Sequence, residues 1–154
     1  MNNTPTNIIT RLQYQKKNKE RVNVYLDGKY AFAVTEMVAA GLRKGQQLSQ
    51  AEITQLQADD ERNKAYNLAI RYLGYRPRSR REVEQHLARK QYDPETVAAV
   101  IERLDARGYL DDRAFAAYWA ENRAQFRQRG VRALRYELRQ KGIDDAIIDE
   151  ITQA

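Results

Sequence analysis

An internal repeat constrains this chain more than any other feature. Residues 79–104 read SRREVEQHLARKQYDPETVAAVIERL, and a shift of 51 positions lays them over the stretch that begins at Gly130, VRALRYELRQKGIDDAIIDEIT. Val83 then meets Leu134, Leu87 meets Leu138, Lys90 meets Lys141, Asp93 meets Asp144, Val97 meets Ile148 and Val100 meets Ile151. Apolar spacing and helix-start chemistry both survive the shift, which is the signature of a duplicated supersecondary unit. Another amphipathic run lies upstream of each copy: Tyr66, Ala69, Ile70 and Leu73 before the first, Phe115, Tyr118, Trp119 and Asn122 before the second. Each unit therefore reads as three helices.

The helix boundaries are written in the local chemistry. Ser79 with Glu82 forms a capping box, and Asp93 followed by Pro94 supplies an N-cap with proline at the first helical position, where no N–H is needed. Val97, Val100, Ile101 and Leu104 share one face of the helix that follows, and Gly108 ends it before Tyr109, Leu110, Asp111 and Asp112 open the second unit. Gly74 is expected just past the end of the first helix of the first unit, before the loop YRPR.

Residues 8–34 carry a different period. Val22, Val24 and Leu26 alternate along one run and Tyr30, Phe32 and Val34 along the next, with Asp27-Gly28 between them suited to a two-residue type I′ turn. With IITRLQYQ before them, these runs predict a three-stranded antiparallel meander. Its first turn holds Lys16, Lys17 and Lys19, flanked by Arg21; a solvated hairpin tip explains them more simply than phosphate contact. Thr35 is placed to cap a short helix that Gly41 ends, and Ser49 with Glu52 forms a capping box for a connector helix. Asp59-Asp60 is expected to break or bend that connector. The predicted fold is thus mainly α: an N-terminal β-meander plus connector helix over 1–60, a first three-helix repeat over 61–110 and a second over 111–154.

Composition narrows the chemistry. Cysteine is absent and His86 is the single histidine, which removes thiol nucleophiles, disulfides and Cys/His metal sites. His86 falls about 60° from the apolar stripe of Val83 and Leu87, a boundary position with a structural role. No apolar run reaches the ~20 residues that cross a bilayer, and the polar start MNNTPTN lacks a signal-peptide core. A cytoplasmic protein is expected. An enzyme would have to be built on carboxylates, such as the metal site of a nuclease, and Asp111-Asp112 and Asp144-Asp145 are the neighbouring pairs available. Both open predicted helices, where aspartate caps and meets the positive end of the helix dipole.

Positive charge is segregated. Lys and Arg outnumber Asp and Glu by 27 to 21 over the chain, yet by 11 to 7 over 61–107 and not at all, 8 to 8, over 108–154. That neutral last section hides a run of cations: Arg123, Arg127, Arg129, Arg132, Arg135, Arg139 and Lys141 face Glu137 alone within their stretch. With Leu134 and Leu138 inward, Arg132, Tyr136 and Arg139 point outward and Arg135 lies on the flank. Arg81 takes the place of Arg132 in the first unit, with Gln85 and Arg89 beside it. Stacked repeats would join these positions into a basic stripe, fit for a phosphate backbone or an acidic partner. Some of these residues are also placed to pair with nearby acids. Phe115, Trp119 and Phe126 share a face at helical spacing and read as core, not as a base-stacking platform.

These residues resemble the RecX regulators of the RecA recombinase. The resemblance is carried by RSRREVEQHLARKQYDPETVAAVIERLDARGYLDDRAFA at 78–116 and GVRALRYELRQKGI at 130–143, with the Gly-Tyr-Leu-Asp-Asp-x-x-Phe-Ala junction at 108–116 its most specific part. KKNKERVNVYLDGKYAF resembles an N-terminal extension of longer family members. What the resemblance implies is a non-enzymatic protein of tandem three-helix repeats, without cofactor or metal, that lies in the groove of the RecA–single-stranded DNA filament. It would restrain strand exchange, ATP hydrolysis and co-protease activity, and so act in DNA repair, homologous recombination and the SOS response. The expected partners are the RecA filament, single-stranded DNA and, secondarily, duplex DNA, met by a monomer with no membrane contact. The expected contact residues are Arg78, Arg81, Arg89, Arg127, Arg129, Arg132, Arg135 and Arg139. Family members commonly carry three such repeats, and two are present here. A different class of function, a stand-alone helix-turn-helix DNA-binding module with Arg132, Arg135 and Arg139 in a major groove, is compatible with the same residues.

Overall fold

The computed structural model describes residues 5–126 and 130–152, and of 123–126 the backbone only. The chain forms two compact units, residues 1–64 and 65–154.

In the first unit β1 (Ile9–Tyr14), β2 (Arg21–Leu26) and β3 (Lys29–Thr35) form an antiparallel meander in the order β1-β2-β3. Asp27 and Gly28 both take positive φ, 52° and 83°, as a type I′ turn demands. Ile9, Val24, Leu26, Phe32 and Val34 bury one face of the sheet with Leu42, Leu48 and Ile53. One expectation fails: Tyr30 does not share that face. The register passes from Val24 opposite Phe32 to Tyr25 opposite Tyr30, so Ala31 is an extra residue in β3. The bulge turns Tyr30 outward, where it is 58% exposed and meets Tyr25 edge to face.

The short helix α1 (Glu36–Ala39) follows Thr35, whose side chain makes no capping hydrogen bond; its Oγ1 instead accepts from Asn63 Nδ2 at 2.8 Å. Helix α2 (Gln50–Tyr75) starts at the expected capping box, Ser49 and Glu52 exchanging bonds of 3.0 and 3.1 Å. It runs unbroken through Asp59-Asp60 and includes Gly74, so neither the expected break nor the expected glycine stop occurs. Asp60 is buried and tied to the sheet. Its carboxylate accepts from Arg21 at 2.9 Å and from the Thr35 N–H at 2.8 Å, so the aspartate that reads as a helix breaker is a tether. Arg21 is thereby held within its own unit as a structural cation.

The second unit holds both repeats. The C-terminal part of α2 packs with α3 (Arg80–Arg89) and α4 (Pro94–Ala106) around Ala65, Tyr66, Ala69, Val83, Leu87, Val100, Ile101 and Leu104. Then α5 (Asp112–Phe126), α6 (Val131–Gln140) and α7 (Asp145–Thr152) enclose a smaller core of Phe115, Ala116, Leu138, Ile143 and Ile148. The boundary chemistry is as expected at Ser79, where the reciprocal capping box with Glu82 is complete, and at Asp93, which accepts from Thr96 N at 2.8 Å ahead of Pro94.

The repeats meet through Glu82. This nearly buried carboxylate accepts from Arg76 of the α2–α3 loop at 2.7 Å and from Lys141, just past α6, at 3.1 Å. Both cations also approach the ring of Trp119 in α5, at 5.7 and 5.0 Å. Asp112 Oδ1 accepts from the Arg80 N–H at 2.9 Å, closing the same junction from the start of α5.

Candidate nucleic-acid interface

Helical phase places the arginines of α6 as the sequence suggests. Arg132 and Arg139 are exposed, and Tyr136 between them is 63% exposed. They stand at i, i+4 and i+7 on one ridge, about 10 Å long by helix rise. On α3 the matching ridge is Arg81, Gln85 and Arg89, all exposed. The junction joins the two ridges end to end, because Arg81 lies against the C-terminal end of α6: its guanidinium reaches the Arg139 carbonyl at 3.5 Å. The backbone there is tight, with Gly142 at φ +79° against the Arg81 side chain. The α6 ridge of Arg132, Tyr136 and Arg139 and the α3 ridge of Arg81, Gln85 and Arg89 thus meet where Arg81 reaches the end of α6.

The expected contact arginines differ in how freely they present their charge. Arg89 and Arg132 form no ion pair among the described residues. Arg139 Nε meets Asp145 at 3.3 Å, an exposed pair whose cation stays open to solvent. Arg135 is half-buried on the flank, held by Asp149 at 2.7 Å and Thr152 at 3.0 Å. Arg78 stands apart from the ridge: it donates to the Tyr72 carbonyl at 3.2 Å and stacks at 3.8 Å on the Tyr72 ring. Arg127 and Arg129 lie outside the described residues, as do the side chains of Arg123 and Phe126.

His86 takes its boundary position, half-buried and stacked on Tyr72 with centroids 3.8 Å apart. Burial, and then the neighbouring Lys90, Arg89 and Arg78, hold its pKa below the usual 6.5, so the ring is neutral at physiological pH. Phe115 is fully buried and Trp119 packs on it at 5.8 Å, donating its indole N–H to Glu137 at 3.0 Å; both are core residues. Asp111 caps α5 by accepting from Ala114 N at 3.0 Å, Asp112 holds the repeat junction and Asp145 pairs with Arg139. Among the described residues no group of three or more His, Asp or Glu is placed to hold a metal, and no helix is long and apolar enough to cross a membrane.

Sequence reasoning missed the residues that fix the ridges in place. Glu82 reads as half of a capping box, and only the packed repeats show that it also gathers Arg76 and Lys141. Gly130, at the place of Ser79, is the N-cap of α6 and has no side chain with which to cap it.

Comparison with known proteins agrees with this architecture. Residues 7–49 match the model of the regulatory protein RecX N-terminal domain, 65–104 that of the RecX first three-helix domain and 111–151 that of the second. Regulatory protein RecX of Bacillus subtilis (strain 168) is 44% identical over 144 residues, which are 92% of this chain and 54% of the relative. Regulatory protein RecX of Lactobacillus delbrueckii subsp. bulgaricus (strain ATCC BAA-365 / Lb-18) is 38% identical over 144 residues, 92% of this chain and 53% of the relative. The chain thus spans about half the length of the curated relatives it matches. A crystal structure of regulatory protein RecX superposes with a TM-score of 0.84 at 33% identity, covering 95% of this chain and 72% of that one. RecX from Lactobacillus salivarius gives 0.56 at 28% identity over 60% of each. With its strand domain and both three-helix domains matched in order, the chain belongs to the RecX family of regulatory proteins.

Proposed function

We propose that the chain modulates, chiefly as an inhibitor, the RecA recombinase by lying in the groove of the RecA–single-stranded DNA filament and restraining strand exchange, ATP hydrolysis and co-protease activity. Membership of the RecX family supports the partner. The single observation that carries the mode of binding is the pair of exposed ridges, Arg132, Tyr136 and Arg139 on α6 and Arg81, Gln85 and Arg89 on α3, which meet at Arg81. Spaced cations on rigid helices contact successive phosphates, and the interleaved tyrosine offers a stacking face to an unpaired base. The protein acts by occupancy, with no catalytic step, no cofactor and no metal, and it does so in the cytoplasm where the filament forms. Arg78, Arg127, Arg129 and Arg135 complete the proposed contact set, with Arg78 and Arg135 as supports on its flank.

The stand-alone helix-turn-helix reading is less well supported. Of the three arginines it needs in a major groove, Arg135 is engaged by Asp149 and Thr152. The deciding experiment titrates the chain into RecA ATPase on single-stranded DNA, with binding to the naked strand measured at the same salt. Suppression well below the amount that coats the DNA is expected; suppression only at coating amounts would reduce the protein to a basic DNA binder. Arg132→Ala with Arg139→Ala should weaken binding and lower the salt slope by about one to two. An unchanged slope would assign both residues to solubility.

A further inference from the structure

The two repeats differ at the groove between their second and third helices. In the second repeat this groove is latched: Arg135 reaches across from α6 to Asp149 on α7, and Arg139 reaches to Asp145. The positions 51 residues earlier are Glu84 and Ala98 for the first pair, Ala88 and Pro94 for the second. Neither latch can form in the first repeat. Its groove between α3 and α4 stands open, with a volume of about 650 Å³. Ala88, Tyr92, Pro94, Val97, Ala98 and Ile101 form its apolar floor and walls.

The rim is acidic although the chain is basic overall. Glu84, Glu102 and Asp105 border the groove against one cation, Arg80, which Asp105 already pairs at 3.1 Å. Glu84 and Glu102 form no ion pair among the described residues. Nucleic acid is repelled by such a rim. A cation carried among apolar side chains is attracted twice, by the carboxylates and by the floor. Arginine against a carboxylate is also the pairing that the second repeat makes between its own second and third helices.

We propose that the α3–α4 groove of the first repeat is a protein-docking site for a basic amphipathic segment, one that inserts apolar side chains and sets a lysine or arginine against Glu84 and Glu102. This deepens and rests on the filament reading, with the recombinase as the source of the segment. It divides the labour of the second unit: the arginine ridge meets DNA, and the acidic groove meets protein.

The test copies the latch. Glu84→Arg with Ala98→Asp places the Arg135–Asp149 pair at the equivalent positions and closes the groove with the chain's own chemistry. The probes are the RecA filament assembled on single-stranded DNA and the same DNA naked. The expected result is a loss of filament affinity of about tenfold or more, with naked-strand affinity within about twofold of the parent. Ala98→Lys, one change at an exposed helix position, gives the same readout should the double variant fold poorly. A parent that prefers the filament together with variants that match it would overturn the groove while leaving the filament reading intact. A parent with no preference for filament over naked DNA would overturn both. Self-association of the parent that the closing variant abolishes would assign the groove to a second copy of this chain and also overturn the proposal.

Discussion

The second helices of the two repeats, α3 and α6, occupy the same place in the same unit and are held there by different means. Helix α3 begins at Ser79, fully buried, with a complete capping box, and projects Glu82 into a nest of cations. Helix α6 begins at Gly130, which caps nothing, and has Ala133 where α3 has Glu82. Its anchors are lateral: Arg135 is held to Asp149 of α7, the exposed Arg139 meets Asp145, and Glu137 accepts from Trp119. A duplicated fold can therefore keep its apolar skeleton while exchanging polar fastenings. Where the fastening lies at the helix start, the groove between the second and third helices stays open; in the other repeat ion pairs run across it.

That contrast breaks down most visibly in the cores, which the comparison says are equivalent. Leu87→Ala and Leu138→Ala each remove a side chain with no exposed surface and should each cost about 2–5 kcal/mol. Urea unfolding midpoints near the parent's for either would contradict the shared skeleton. Next in size is the junction. Replacing Glu82 by Gln and Lys141 by Met, singly and together, should reveal a coupling of about 0.5–3 kcal/mol, and additive losses would show that the pair does not hold the repeats together.

The same carboxylate gives the contrast a pH signature. Burial alone would raise the Glu82 pKa, but Arg76, the Ser79 N–H and Lys141 together hold it below the usual 4.5. The charged form is thus the folded form, so its stabilisation is present above about pH 4.5 and is lost as pH falls through the lowered value. Stability measured from pH 7 to pH 3 should show that acid step in the parent and lose part of it in Glu82→Gln. A smaller effect is expected at the caps: Ser79→Ala should cost about 1 kcal/mol, whereas Gly130→Ser should gain a few tenths. Equal responses would mean that the two starts are fastened alike after all. The smallest effect is at His86, whose neutral ring is the folded form; its contribution is complete above pH 6.5 and fades as pH falls through the lowered value. A stability profile of His86→Gln that keeps the parent's slope between pH 7 and pH 5 would remove this assignment.

Local chemistry made most of the architecture legible. Ser79, Asp93, Ser49 and the Asp27-Gly28 turn all act through neighbours within a few residues, and each is found at work in the structure. The outward phase of Arg132, Tyr136 and Arg139 was equally readable, because periodicity alone fixes it. What escaped depends on distant partners or on backbone detail. Asp60 reads as a helix breaker until Arg21, 39 residues earlier, is seen against it. Tyr30 reads as core until the bulge at Ala31 turns it over. Pairing of the α6 arginines with nearby acids was expected, but which aspartates of α7 they meet depends on how the neighbouring helix packs.

The contact at Gly142 has a consequence for the length scale of the surface. A Cβ built there would stand 2.7 Å from Nε and 2.8 Å from Cβ of Arg81, and the backbone already sits at φ +79°. Any larger residue would act as a wedge, pushing the start of α3 away from the end of α6. The glycine thereby works as a ruler: it sets the distance between the end of α6 and the start of α3, and with it the step between the cations that the two helices carry.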